Sequence, residues 1–209
     1  MFIDPLQLIL FIPAALALNL TPGSDMMFCL GTGLKSGPRA GIFASLGVAT
    51  GALIHSLLAA FGLAALLAAY PIAFEAVRWA GVGYLVWLAI QAFRKRGSLM
   101  VSAKVDASGN VKAWRDGAIV NLFNPKVAIF ILAFVPQFVD PAKGSTILQF
   151  LIFGLILNIG GTIINGLVGG FAGSIGKLLI TYRTINRLFA YLTCFVFLGL
   201  AARLAISER

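Results

Sequence analysis

Residues 6–34 read LQLILFIPAALALNLTPGSDMMFCLGTGL, with a single charged residue, Asp25. An apolar run of about 18 or more residues is long enough to cross a bilayer as a helix. Within a bilayer the backbone must satisfy its own polar groups, so a crossing is a helix or part of a closed barrel. Strand-like alternation is missing here, which selects the helix. The run is interrupted at Asn19-Leu20-Thr21-Pro22-Gly23. Proline has no N–H and clashes with the preceding turn, and the residue before it avoids the helical region. The first helix is therefore predicted to break near mid-membrane. Thr21 is expected to cap a new half-helix with Pro22 as its first residue.

The rest of the chain repeats this character. Of 209 residues, 60% are hydrophobic and 11% are charged, about half the charge of an ordinary soluble domain. Six apolar segments are drawn at 6–34, 40–69, 72–93, 113–139, 146–172 and 185–206. The expected fold is an all-α membrane protein of six transmembrane helices, and a soluble globular domain is excluded. Met1–Gln7 carry Asp4 and no basic residue, so the first run is read as retained rather than as a cleaved leader.

The net charge is +9, but the basic residues sit in the gaps between apolar runs instead of forming a nucleic-acid-binding face. One set of alternate gaps holds Lys35, Arg39, Arg94, Lys95, Arg96, Lys104, Lys112, Arg115, Lys177, Arg183 and Arg187; the other holds Arg78, Lys143, Arg203 and Arg209. The positive-inside rule places the first set in the cytoplasm and both termini outside. The polar stretch from Arg94 to Arg115 reads as a flexible loop. The chain is thus one transmembrane domain, 1–209, with a first repeat at 1–94, a cytoplasmic loop at 95–115 and a second repeat at 116–209.

Two halves of three helices each must be oppositely oriented, so a repeat between them is an inverted one. Asn121-Leu122-Phe123-Asn124-Pro125 in the fourth segment answers Asn19-Leu20-Thr21-Pro22 in the first. Asn124 is expected to cap a half-helix that starts at Pro125, so helices one and four both break. Arg78 to Arg94 and Arg187 to Arg203 have equal spacing, and Trp87-Leu88-Ala89 loosely matches Phe197-Leu198-Gly199.

A half-helix that begins inside the membrane turns free N–H groups and a positive dipole end inward, which suits a carboxylate. Asp25 is the acidic residue deep in an apolar segment, and an intramembrane carboxylate is costly enough to mark function. It can bind an ammonium or carry a coupled proton; the plain alternative is that it only favours its helix N-terminus. Lys126 can pair with Asp25, meet a substrate carboxylate, or snorkel to the headgroups. His55 continues the stripe Gly47, Gly51, which reads first as helix packing and second as a proton relay. Asn158, Thr162 and Asn165 form a polar stripe that either joins helices or lines a path. Cys29 and Cys194 lie in apolar segments with no metal or redox spacing.

No nucleotide loop, metal cluster or nucleophile–base pair is visible, and Gly81-Val82-Gly83 lacks the rest of a dinucleotide pattern. No cofactor, metal site or catalytic residue is expected, and an ion or proton gradient is the remaining source of drive.

The residues Thr21-Pro22-Gly23-Ser24-Asp25-Met26, Arg39-Ala40-Gly41, Gly47 to His55, Gly62-Leu63-Ala64, Trp79-Ala80-Gly81 through Tyr84-Leu85, and Trp87-Leu88 resemble the LysE/RhtB family of bacterial amino-acid exporters. So do Asn121 to Lys126 and Phe134-Val135-Pro136-Gln137-Phe138-Val139. The resemblance implies a six-helix exporter in the bacterial inner membrane, proton-coupled and homodimeric, for amino acids or their derivatives. The family's Pro-Gly-Pro motif falls on Pro22, Gly23 and Ser24, and its Asn-Pro-Lys motif on Asn124, Pro125 and Lys126. Ser24 replaces the second proline, and Ala52 stands where many members carry an acid, which moves weight onto Asp25. Substrate binding or coupling is accordingly expected at Asn19, Thr21, Pro22, Gly23, Asp25, His55, Asn121, Asn124, Pro125, Lys126 and Asn158. The expected partners are the lipid bilayer, a small solute and a proton, not nucleic acid. The competing readings are an exporter of a metal cation or other small solute, and a membrane enzyme or assembly factor.

Overall fold

The computed structural model describes residues 3–69, 71–94, 109–174 and 183–206, and among these every regular element is helical. The first apolar run becomes two helices, α1 (Pro5–Leu20) and α2 (Ser24–Ser36). After them come α3 (Pro38–Ala69), α4 (Pro71–Arg94), α5 (Asn110–Leu122) and α6 (Pro125–Ala133). Two 3₁₀ turns, Val135–Phe138 and Pro141–Lys143, lead to α7 (Thr146–Gly170), and α8 (Arg183–Ile206) ends the described chain. The predicted segment boundaries agree within a few residues. The expected loop is shorter than predicted: Asn110–Arg115 are helical, because α5 already begins after Gly109, while residues 95–108 lie outside the described residues. Lys177 and Arg209 of the charge pattern lie outside them too.

Helices α3 and α7 are each long and apolar enough to cross a membrane. The pairs α1–α2 and α5–α6 qualify only when each is taken together, and they bend by 50° and 53° at their breaks. The two interruptions read from the prolines are therefore present as bends.

Contacts along the helices set their directions. Trp114 packs at Gly47, Ala118 and Asn121 at Gly51, so α3 and α5 run parallel. Gly41 meets Gly169 and Ser56 meets Gly154, so α3 and α7 are antiparallel. Phe11 packs against Phe153 while Gly33 meets Gly169, so the α1–α2 pair runs along α7 in the same direction. The tight turn between α2 and α3 uses Gly37 at φ 88°, a region that suits a residue without Cβ.

Small residues let these helices approach to backbone contact. A Cβ on Gly33 or Gly41 would strike the Gly169 carbonyl, on Gly47 the Trp114 carbonyl, and on Gly117 the Ala44 carbonyl. In lipid there is little hydrophobic gain from burying Leu, so close packing of small residues drives helix association. The larger core lies at the other end, where Phe11, Phe130, Phe134, Phe138, Phe150, Phe153 and Phe197 are buried together. Phe130–Phe134 and Phe11–Phe153 centroids are 4.7 and 4.8 Å apart, within the range of favourable aromatic pairing. At that end Lys143 Nζ pairs with Asp4 Oδ2 at 2.8 Å, joining the cap of α1 to the second 3₁₀ turn. The hydrogen bond from Lys143, with that from the Leu6 N–H, holds the Asp4 carboxyl below its ordinary range.

One sequence match is corrected. Trp87 is exposed whereas Phe197 is fully buried, and Leu88 is buried whereas Leu198 is exposed. The Arg spacing and the Trp87/Phe197 match also differ in offset by one residue, which on a helix rotates the face by about 100°. The two triplets therefore do not occupy equivalent places.

Candidate functional site

The two breaks meet. At the first, Thr21 ends α1: its N–H donates to Ala17 O and Leu18 O, and Oγ1 donates back to Ala17 O at 2.5 Å. Thr21 therefore does not cap the next helix, as the sequence reading expected. Its hydroxyl is taken up by the helix it closes, and Gly23 becomes the N-cap of α2, with Ser24 as first residue and no side chain capping the first turn. At the second break the prediction agrees. Asn124 caps α6 by accepting from the Lys126 N–H at 3.0 Å, and Pro125 is the first helical residue. The two starts thus differ. In α6 the cap side chain takes one first-turn N–H and the proline removes another, whereas among the described residues no side chain caps the first turn of α2.

Asp25 is buried in the first turn of α2 and accepts from Asn121 Nδ2 at 2.9 Å. Asn124 and Ser24 are its other hydrogen-bonding neighbours, Ser24 Oγ at 3.5 Å. A carboxylate of the first half is thereby held by amides of the second. Asn121 is itself 1% exposed, and its Oδ1, which faces Gly51, has no hydrogen-bond partner among the described residues. His55 completes this corner from α3, with Nε2 3.3 Å from the Asn121 carbonyl oxygen. Asp25 and His55 both touch Asn121, and no hydrogen bond joins them to each other among the described residues.

Lys126 is seated on backbone carbonyls of the first half. Its Nζ donates to Leu18 O and Thr21 O, each at 2.6 Å. Among the described residues it forms no ion pair with Asp25. The reason lies in the backbone. In a continuous helix the N–H at position 22 would satisfy Leu18 O, but Pro22 has none. The bend after Thr21 then leaves a second carbonyl without its helical donor. The Thr21 N–H reaches Leu18 O at 3.2 Å in an i+3 bond, so the lysine adds a second donor to Leu18 O and supplies one to Thr21 O, and the same break that disrupts α1 creates the site where Lys126 sits. Gly23 lies alongside, where a Cβ would come within 3.5 Å of Lys126 Cδ.

Thr21, Pro22, Gly23, Asp25, Asn121, Asn124, Lys126 and His55 are therefore gathered at the breaks. Pro125 belongs there as well, its carbonyl accepting from Tyr84 OH at 3.3 Å. Asn19 and Asn158 are directed elsewhere. Asn19 Nδ2 donates to Leu157 O of α7, and Asn158 Nδ2 donates to Ala49 O of α3, both at 3.0 Å. These two asparagines join helices, as does Ser45 through its bond to Thr162 O. Sequence reading missed the Leu18 carbonyl, although the residue four before a proline always loses its helical donor. It also missed Thr193 of α8, which meets Thr21 Oγ1 at 3.3 Å and carries no local signal.

No group of three or more His, Cys, Asp or Glu able to hold a metal ion occurs among the described residues. An open cleft lined by Gly33, Leu34, Gly37, Pro38 and residues 170–174 lies at the far end of the molecule from Asp4, and none of the cluster at the breaks lines it.

The chain is 34% identical to an uncharacterized membrane protein of Vibrio cholerae over 145 residues, 69% of this chain and 70% of that one. It is 34% identical to the homoserine/homoserine lactone efflux protein of Salmonella typhimurium over 138 residues, 66% of each chain. It is 29% identical to the leucine efflux protein of Enterobacter sp. over 199 residues, 93% of each chain. No solved structure matches it. The family described as LysE type translocator matches residues 16–208. The chain belongs to the LysE-type translocator family.

Proposed function

We propose that this protein is a secondary transporter that exports amino acids or amino-acid derivatives across the bacterial inner membrane, driven by protons. It crosses the membrane six times, as two inverted repeats of three helices, with both termini outside. The observation that carries this reading is the junction of the two breaks: Asp25 of α2 held by Asn121 at 2.9 Å, and Lys126 of α6 seated on the carbonyl end of α1. Each interaction spans the two halves, so relative motion of the halves must remake both. That is the requirement for a site exposed alternately to the two sides.

The donors at the start of α2 suit a substrate carboxylate, and Asp25 takes the ammonium or the coupled proton. His55, through Asn121, connects α3 to the same corner. Relatives named for homoserine and leucine efflux support an amino acid as cargo. Helix directions support the crossing order, since Asp4 and Lys143 share one end while Gly37 and Ala172 share the other. A homodimer is the expected assembly.

Counterflow in reconstituted vesicles tests the reading. Wild-type protein is expected to exchange a labelled neutral amino acid, and Asp25→Asn is expected to lose proton-driven accumulation by at least about tenfold. If Asp25→Asn accumulates substrate as wild type does, the role given to Asp25 is wrong.

A further inference from the structure

Lys126 is seated on the backbone at the end of α1. Two carbonyl oxygens, Leu18 O and Thr21 O, converge on one ammonium at 2.6 Å each. They lie at the C-terminal end of α1, where the helix dipole adds negative potential. Pro22 removes the i+4 donor of Leu18 O, whose bond within α1 is the i+3 contact from the Thr21 N–H at 3.2 Å, and Gly23 lies against the lysine stem, where a Cβ would meet Lys126 Cδ at 3.5 Å. The group filling the site arrives on a flexible four-carbon stem from another helix, and a lysine ammonium is a compact donor that can rotate away. The nearby carboxylate, Asp25, is held by Asn121 and is not paired with Lys126. Cation and anion of the cluster are thus each kept on neutral partners that can be exchanged.

We propose that the carbonyl end of α1, Leu18 and Thr21, is a primary-ammonium site which Lys126 occupies from within the chain until the amino group of a cargo molecule displaces it. This deepens the transport reading above and rests on it for the identity of the cargo. Replacing one ammonium by another keeps both hydrogen bonds, so Thr21 O is not stranded during exchange and Leu18 O keeps a donor besides the Thr21 N–H; a stranded carbonyl is costly inside a membrane. The displaced lysine then has Asp25 or the cargo's carboxylate as its new acceptor. Cargo entry is in this way coupled to a contact between the two halves. The site requires N–H donors on the cation, so it selects a primary ammonium over a quaternary one.

The test uses the full chain in detergent, with Lys126→Ala and, as a variant that keeps the stem, Lys126→Met. Ethylammonium and tetramethylammonium chloride are added at equal ionic strength, and thermal unfolding is followed. Both variants are expected to melt below wild type. Ethylammonium at about ten times its Kd is expected to raise the Tm of Lys126→Ala by roughly 3–5 °C, with no specific shift in wild type and none from tetramethylammonium. An equal response to both cations, or no response in either variant, overturns the proposal. Should a variant be recovered only when ethylammonium is present during extraction, and not with tetramethylammonium, the site is supported. This readout does not require transport. A wild type that fails to exchange amino acids would sink the transport reading and leave the ammonium site to be decided by the melting curves.

Discussion

Asn121 has more depending on it than any other residue of the cluster. Its Nδ2 holds Asp25, its carbonyl faces His55, and its Oδ1 faces Gly51 with no hydrogen-bond partner among the described residues. Removing one partner of a buried hydrogen bond to a charged group costs about 1–3 kcal/mol. Asn121→Ala is therefore expected to lower stability by that amount in reversible unfolding, while also relieving an unsatisfied Oδ1, which places it toward the lower end. Wild-type stability in Asn121→Ala would mean that the bond to Asp25 contributes nothing net. Of this cluster, Asp25, Asn124 and Lys126 were legible in the sequence because polar residues beside a mid-segment proline have few other reasons to be there. The acceptors of Lys126 are backbone carbonyls, which every residue has, so no side-chain motif marks them.

At the scale of elements, the glycines divide by what faces them. Gly169 packs against the Gly41 backbone, where an added Cβ would lie 2.6 Å from the carbonyl oxygen, whereas Gly83 has open space around its Cβ position. Gly169→Val should force α3 and α7 apart and cost about 1–3 kcal/mol or more. Gly83→Ala should change stability by less than about 1 kcal/mol. Unfolding of both variants in the same detergent checks the contrast, and equal effects would mean that the α3–α7 contact is not set by Gly169. The stripe Gly47, Gly51, His55 was readable as a packing face because residues four apart share one side of a helix. Its partner, α5, was not readable, since helical periodicity says which side is buried and not against what.

For the whole molecule the testable quantity is sidedness. In a variant lacking Cys29 and Cys194, a thiol introduced by Ser36→Cys is expected to react with a membrane-impermeant reagent from the cytoplasmic side. Gly144→Cys is expected to react from the outside. Labelling of both from one side would overturn the crossing order. The two positions sit at opposite ends of the bundle: Ser36 precedes the turn at Gly37, and Gly144 follows the Asp4–Lys143 pair. Charge counting predicts this orientation from the lysines and arginines in the gaps, independently of packing.

The sequence by itself determined that the apolar segments are helical, where those segments end, and that Pro22 and Pro125 interrupt two of them. Those are local properties, decided by hydrophobic length and by the missing proline N–H. It also singled out Asp25 and Lys126 as charges placed where charge is expensive. Tertiary structure alone decided their partners. Asp25 is bound by Asn121 across the interface between the halves, and Lys126 closes the carbonyl end of α1 instead of pairing with Asp25. Such choices depend on the distance between α2, α5 and α6 after a bend of about 50° at each break, and no residue carries that distance in its own side chain. The prolines state that α1 must lose a donor at Leu18; only the packed molecule shows that Lys126 supplies it.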